Sequence, residues 1–193
     1  MAFAPLPPRA AWRHGTAREG FEVVWITPTP VGGHVLAGHT VAVEGPEAWA
    51  VAYSIEVDAA WRTTAAAVRT RTPEGEERHL RLDATDGWRL DGHPAAHLAG
   101  CMDVDLEASA CTNTLPIHRL ALAVGEEAEA PAAYVRAADL AVERLDQTYH
   151  RLPDEDGRPR FAYEAPRFAY ADVLTYDASG LVVDYPGLAV RVA

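Results

Sequence analysis

From Trp49 the chain alternates without a break. Trp49, Val51, Tyr53, Ile55 and Val57 face one way, and Ala50, Ala52, Ser54, Glu56 and Asp58 face the other. A period of two sends successive side chains to opposite faces, so this stretch is a half-buried antiparallel strand. Similar runs recur. Phe21, Val23 and Trp25 alternate with Glu22 and Val24. Val35, Ala37, Val41 and Val43 share one face, with His39 among them. Leu80 and Leu82 point inward from Arg78 to Asp83, and Phe168, Tyr170, Asp172, Leu174 and Tyr176 alternate again. Trp61 to Arg71 is Thr-rich and β-compatible. Turn signals separate the runs: Pro28 to Gly33, Gly45-Pro46, Thr72-Pro73-Glu74-Gly75, Asp83 to Gly87 and Asp177 to Gly180. With about ten such runs and no strong long helix, the expected fold is all-β and mainly antiparallel. A sheet of that size must curl to protect its edges, as a barrel or paired half-barrels with at most one or two short helices. Its interior is where a ligand would sit.

A chain of 193 residues is expected to form one β domain over residues 1–193. Residues 1–20, proline-rich with scattered arginines, read as an arm laid on the surface. Gly125 to Ala130 reads as an acidic loop and Pro153 to Pro159 as a charged one. Ala137 to Leu152 is ambiguous. Ala141, Leu145, Tyr149 and Leu152 have helical spacing, whereas strands over Leu140 to Arg144 and Gln147 to His150 suit the rest of the chain better. Asp83 to Gly87, flanked by Leu82 and Trp88, resembles Asp177 to Gly180 flanked by Tyr176 and Leu181, a faint sign of two duplicated halves.

The formal net charge of -11 argues against nucleic acid or an anionic membrane as a partner, because phosphates attract basic surfaces. All 17 basic residues are arginine, which removes Schiff-base and phosphate-loop lysine chemistry. MAFAPLPPRAAWRHG has no charged segment followed by an apolar one, and no apolar run suits a membrane helix. A cytoplasmic protein with Cys101 and Cys111 reduced is therefore expected, without stable membrane insertion.

Gly100 to Leu120, GCMDVDLEASACTNTLPIHRL, mixes charge and apolar residues most densely. A strand over Met102 to Leu106 puts Asp103 and Asp105 on one face. Thr112-Asn113-Thr114 is turn-like, and a second strand is expected from Leu115. Its apolar phase slips between Ile117 and Leu120, so a bulge near Pro116 to Arg119 is expected to re-aim His118 or Arg119.

GC-M-DVDL, TNTLPI-R-L, Gln147-Thr148-Tyr149 and GLVVDYPGL (Gly180 to Leu188) together resemble the bacterial "putative glycolipid-binding" family, over roughly Trp25 to the C-terminus. The family carries an aromatic-bearing turn where this chain has Ala110-Cys111, and a second arginine where it has His118. The resemblance implies a β fold that binds a glycolipid.

The residues themselves leave several chemistries open. Asp103 and Asp105 suit a divalent metal or general acid–base work, while neutralisation by Arg119 and Arg62 is the plainer reading. His93, His97 and Cys101 are spaced by four as in some zinc sites, without a completed ligand set. Ser54, Ser109 and Ser179 lack a nucleophile-elbow context, and both cysteines sit among apolar or small residues. The expected function is non-enzymatic binding of an amphiphile, a glycolipid by resemblance, with no metal or cofactor. The residues expected at the ligand are Trp25, Trp61, Asp103, Asp105 and Asn113, with His118, Arg119, Tyr149, Asp184 and Tyr185. The alternatives are a hydrolase or isomerase using Asp103, Asp105, His118 and Arg119, and a structural or partner-binding module.

Overall fold

The computed structural model describes residues 3–16, 18–71 and 75–193. The turn expected at Thr72-Pro73-Glu74 lies outside the described residues. The N-terminal strands are β1 (Arg9–His14), β2 (Glu19–Pro28), β3 (His34–Glu44), β4 (Glu47–Val57), β5 (Thr63–Arg71), β6 (Glu77–Asp83), β7 (Arg89–Leu90) and β8 (His93–Pro94). A central segment holds β9 (Asp103–Leu106) and one helix, α1 (Thr114–Leu120). Then follow β10 (Glu127–Glu129), β11 (Ala132–Val135), β12 (Val142–Leu145), β13 (Thr148–Glu155), β14 (Arg158–Ala165), β15 (Tyr170–Tyr176), β16 (Val182–Tyr185) and β17 (Ala189–Arg191).

Fourteen strands make one large curved antiparallel sheet in the order β10-β13-β14-β15-β16-β17-β1-β2-β3-β4-β5-β6-β7-β8. No pairing among the described residues joins β10 to β8, so the sheet curls without closing. A second sheet, β12-β11-β9, holds one parallel pair, β9 with β11. The proline-rich N-terminus is not simply a surface arm. β1 lies between β17 and β2 and joins the two halves of the sheet. Its Trp12 is fully buried and donates from Nε1 to the Val182 carbonyl at 2.8 Å. Sequence reasoning missed β1 because Arg9, Arg13 and three prolines before it mask an alternation that is only three buried residues long.

β4 buries the face that its alternation predicts. β2 and β3 bury the opposite one. Leu36, Thr40 and Ala42 point inward, and Phe21, Trp25, Val41 and Val43 lie on the outer surface. Register explains the inversion. Directly paired residues of antiparallel strands point to the same face. Leu36 pairs with Ile55, Gly38 with Tyr53 and Thr40 with Val51, so the strong phase of β4 sets that of β3. β3 in turn sets β2, through Leu36 with Ile26, Gly38 with Val24 and Thr40 with Glu22. Glu22 is thereby forced inside. Gly38 answers a packing need: a Cβ there would stand 2.3 Å from Cζ of Tyr53, whose ring crosses the glycine.

The ambiguous span resolves into β12 and β13, close to the strand alternative. Part of the acidic loop, Glu127–Glu129, pairs with β13 as an edge strand. The charged loop is mostly hairpin: β13 and β14 turn at Asp156-Gly157, both at positive φ, the conformation of a two-residue turn.

The expected second strand of the central hairpin is absent. A 3-10 turn over Cys111–Asn113 leads directly into α1, and no bulge forms at Pro116 to Arg119. Pro116 occupies the first helical turn, where its missing N–H costs nothing. α1 is only about two turns long and is buried on several sides, so neither a 3.6-residue period nor a polar face shows in sequence. The segment packs on the inner face of both halves of the large sheet. Thr40 Oγ1 in β3 donates to the Ala108 carbonyl at 2.8 Å, and Tyr149 in β13 donates to Asn113 Oδ1 at 2.8 Å.

Candidate functional site

Between this central segment and the C-terminal half of the sheet lies a cavity of about 270 Å³. Tyr134, Tyr163, Phe168, Tyr170 and Tyr185 form an aromatic wall, and Asp105, Ser109 and Asn113 supply polar groups from the segment itself. His14, the last residue of β1, and Arg18, just before β2, line another part. The wall has two ring clusters: the rings of Tyr163 and Tyr170, Tyr163 and Tyr185, and Tyr170 and Tyr185 stand 5.9, 6.0 and 5.6 Å apart, and Tyr134 lies 5.2 Å from Phe168. Such edge and tilted packing orients faces and hydroxyls together. Tyr163 donates to Gln147 Oε1 at 2.8 Å and Tyr170 to the Pro186 carbonyl at 2.9 Å.

Asp105 is the half-buried carboxyl of this cavity. Burial pushes it up to about 6, and the neighbouring Asp103 and Glu107 add to the shift. The Thr112 hydroxyl, donating to Oδ1 at 2.7 Å, works against it. The result is a carboxyl that exchanges its proton near neutrality, able to donate to or accept from a ligand hydroxyl.

Asp103, two residues earlier, has a different role. Its carboxyl is 1% exposed and meets Arg119 through Nε at 3.0 Å and Nη2 at 2.5 Å. Burial raises its protonation value and Arg119 lowers it. β9 and α1 are thus fastened by a forked ion pair, which is the Arg119 half of the plainer sequence reading, although a helix and not a bulge brings Arg119 round. No ion pair joins Arg62 to either aspartate among the described residues, and Asp105 is held by Thr112 instead.

The predicted residues separate. Asp105, Asn113 and Tyr185 line the cavity. Tyr149 is fully buried behind it, holding Asn113. Asp103 and Arg119 form the ion pair. His118 lies elsewhere: it bonds the Ser179 carbonyl at 3.0 Å and stacks on Trp61 at 3.9 Å. Burial holds it down at about 4, so it is neutral. Trp61, at φ +62, also stacks on His34 at 4.9 Å. Trp25 is on the outer face and Asp184 is exposed. The four residues of the hydrolase or isomerase alternative are therefore not gathered in one cleft. His93 and His97 are exposed, and no group of three or more His, Cys, Asp or Glu suited to a metal occurs among the described residues. Cys101 and Cys111 are buried free thiols, and burial raises both.

Sequence reasoning missed Glu22, His14, Arg18 and most of the aromatic wall. Glu22 is fully buried, accepts hydrogen bonds from the Tyr53 and Ser109 hydroxyls, and takes the Ala110 N–H at 2.8 Å. Burial raises its protonation value, against the pull of these donors. This network ties β2 and β4 to the floor of the cavity. No local pattern announces it, because only the register of β2 on β3 turns Glu22 inward.

Two solved structures share the fold. A DUF1089 family protein from Pseudomonas aeruginosa is 30% identical over 100% of this chain and 98% of its own, with a TM-score of 0.74. A beta-barrel-like protein of the domain of unknown function DUF1849 from Brucella abortus is 10% identical, over 98% of this chain and 96% of its own, with a TM-score of 0.52. The second likeness shows the fold alone. No curated protein matches the chain. No helix among the described residues is long and apolar enough to cross a membrane. The sequence pattern of the family described as "Putative glycolipid-binding" spans residues 9–191, and the chain belongs to that family.

Proposed function

We propose that this protein binds an amphiphile, a glycolipid, without transforming it, and that the polar headgroup enters the cavity between the central segment and the C-terminal strands. The observation that carries this reading is the wall of four tyrosines and Phe168 facing Asp105 and Asn113. Aromatic faces stack on sugar rings, and tyrosine hydroxyls, an amide and a carboxyl match a sugar's mixed donors and acceptors. At about 270 Å³ the cavity falls just under the roughly 300–1,000 Å³ usual for a site enclosing a drug-sized ligand. It suits a headgroup and leaves acyl chains outside. Of the residues expected at the ligand, Asp105, Asn113 and Tyr185 make direct contact in this proposal; Tyr149, Asp103 and Arg119 hold the floor in place. The same reading keeps both thiols reduced, in the cytoplasm.

Native mass spectrometry of freshly purified protein, with calorimetric titration of octyl glucoside, tests the proposal. A carried lipid mass that organic extraction removes, and glucoside binding weakened by Tyr185→Ala, is the expected result. A clean apo mass together with no heat of binding overturns it.

A further inference from the structure

We propose that Arg18 and His14 form an oxyanion subsite of the cavity, taking a phosphate, sulfate or carboxylate carried by the headgroup. The proposal rests on the cavity being the amphiphile site and adds the charge of what it takes. Arg18 closes one part of the lining. Its guanidinium lies 5.3 Å from the ring centre of Trp49, and Nη2 donates to the Glu107 carbonyl at 2.9 Å. Its Nε and Nη1 are buried and meet no hydrogen-bond partner. His14 is 4% exposed, and neither ring nitrogen makes a hydrogen bond of good geometry. Buried polar groups are nearly always paired, so two neighbouring side chains left short call for a missing partner.

The chemistry of these atoms narrows that partner. Arginine nitrogens only donate, so the partner must present acceptor oxygens. Arg18 also carries a charge with no carboxylate within ion-pairing distance among the described residues, and a half-buried cation without a counter-ion is costly. The carboxylates of the lining are otherwise placed. Glu107 takes the Ala137 N–H at 2.7 Å, Asp105 is held by Thr112, and Glu44 is exposed. Water would satisfy the donors but would not neutralise the charge. Burial, then Arg18, hold His14 at about 4 against a weaker backbone contact with Leu188, so the ring is neutral and the positive charge at this part of the lining stays on the guanidinium.

Calorimetric titration of the full chain with octyl phosphate and octyl glucoside at low salt tests this directly, with Trp49 emission as a second readout. Octyl phosphate is expected to bind about ten-fold tighter or more, the scale of a charge-assisted hydrogen bond. Arg18→Met is expected to bring the two amphiphiles to equal affinity. Inorganic phosphate that displaces octyl phosphate puts the recognised oxyanion free in solution; failure to displace it puts the oxyanion on the amphiphile, and both support the subsite. Glucoside binding without a phosphate preference in the wild type overturns the subsite alone. A preference that survives Arg18→Met in a variant with a wild-type melt also overturns it. No binding of either amphiphile overturns the subsite and the proposed function together.

Discussion

Arg119→Ala isolates the ion pair that fastens β9 to α1. The substitution leaves the Asp103 carboxyl, 1% exposed, without its counter-ion. Breaking a buried pair costs roughly 3–5 kcal/mol. The structure sets a ceiling as well, because the stranded carboxylate can take up a proton. From an ordinary value of 3.8, staying neutral at pH 7 spans 3.2 pH units, or about 4.4 kcal/mol at about 1.36 kcal/mol per unit. This takes the intact pair as roughly break-even, as buried pairs tend to be. At pH 5 the same ceiling falls to about 1.6 kcal/mol. The sign follows from the direction of the shift. In the variant the folded value of Asp103 stands far above the unfolded one, so stability is kept below the unfolded value and lost as pH rises. Urea denaturation of wild type and variant at pH 7 and pH 5 reads both quantities, and a melt at pH 7 should fall by about 10 °C in a domain of this size. Asp103→Asn in the Arg119→Ala background should recover most of the pH-dependent part. Equal unfolding free energies at pH 7, or a loss that does not shrink at pH 5, would refute the buried clasp.

Asp105→Asn should flatten the pH dependence of stability. Its folded value of about 6 against 3.8 unfolded means stability present below pH 4 is lost as pH rises through 6. The variant should therefore gain up to about 3 kcal/mol at pH 8 and nothing at pH 3, measured by urea denaturation; a variant weaker than wild type at pH 8 contradicts this. Gly38→Ala should cost about 1–3 kcal/mol, because the new methyl meets the Tyr53 ring and backbone neighbours leave it little room. A thermal melt indistinguishable from wild type would show that the ring swings aside freely and that Tyr53 does not need its bond to Glu22.

The sequence alone determined the class of this protein. The alternation in β4 and the Leu80 and Leu82 pair of β6 bury the face they announce. Of the aromatic run only Leu174 and Tyr176 are buried, while Asp172 is exposed and Phe168 falls in a 3-10 turn before β15. A period of two survives wherever one face is dry and the other wet, so it is legible strand by strand. The family motifs were equally local. What tertiary structure alone decided was facing, closure and meeting. β2 and β3 carry apolar residues on both faces, so their own pattern is undecided, and the register inherited from β4 put Trp25 outside and Glu22 inside. α1 is too short and too enclosed to show a helical period, so Arg119 reached Asp103 by a route that no spacing implied. The cavity joins His14 and Arg18 near the start of the chain, Asp105 at its centre and Tyr163, Tyr170 and Tyr185 near its end. Those residues share no sequence pattern, because what unites them is the pairing of β1 with β17 together with the docking of the central segment on the inner face of the large sheet. A contact between the two ends of a chain is a property of the folded sheet, and no local preference along the sequence encodes it.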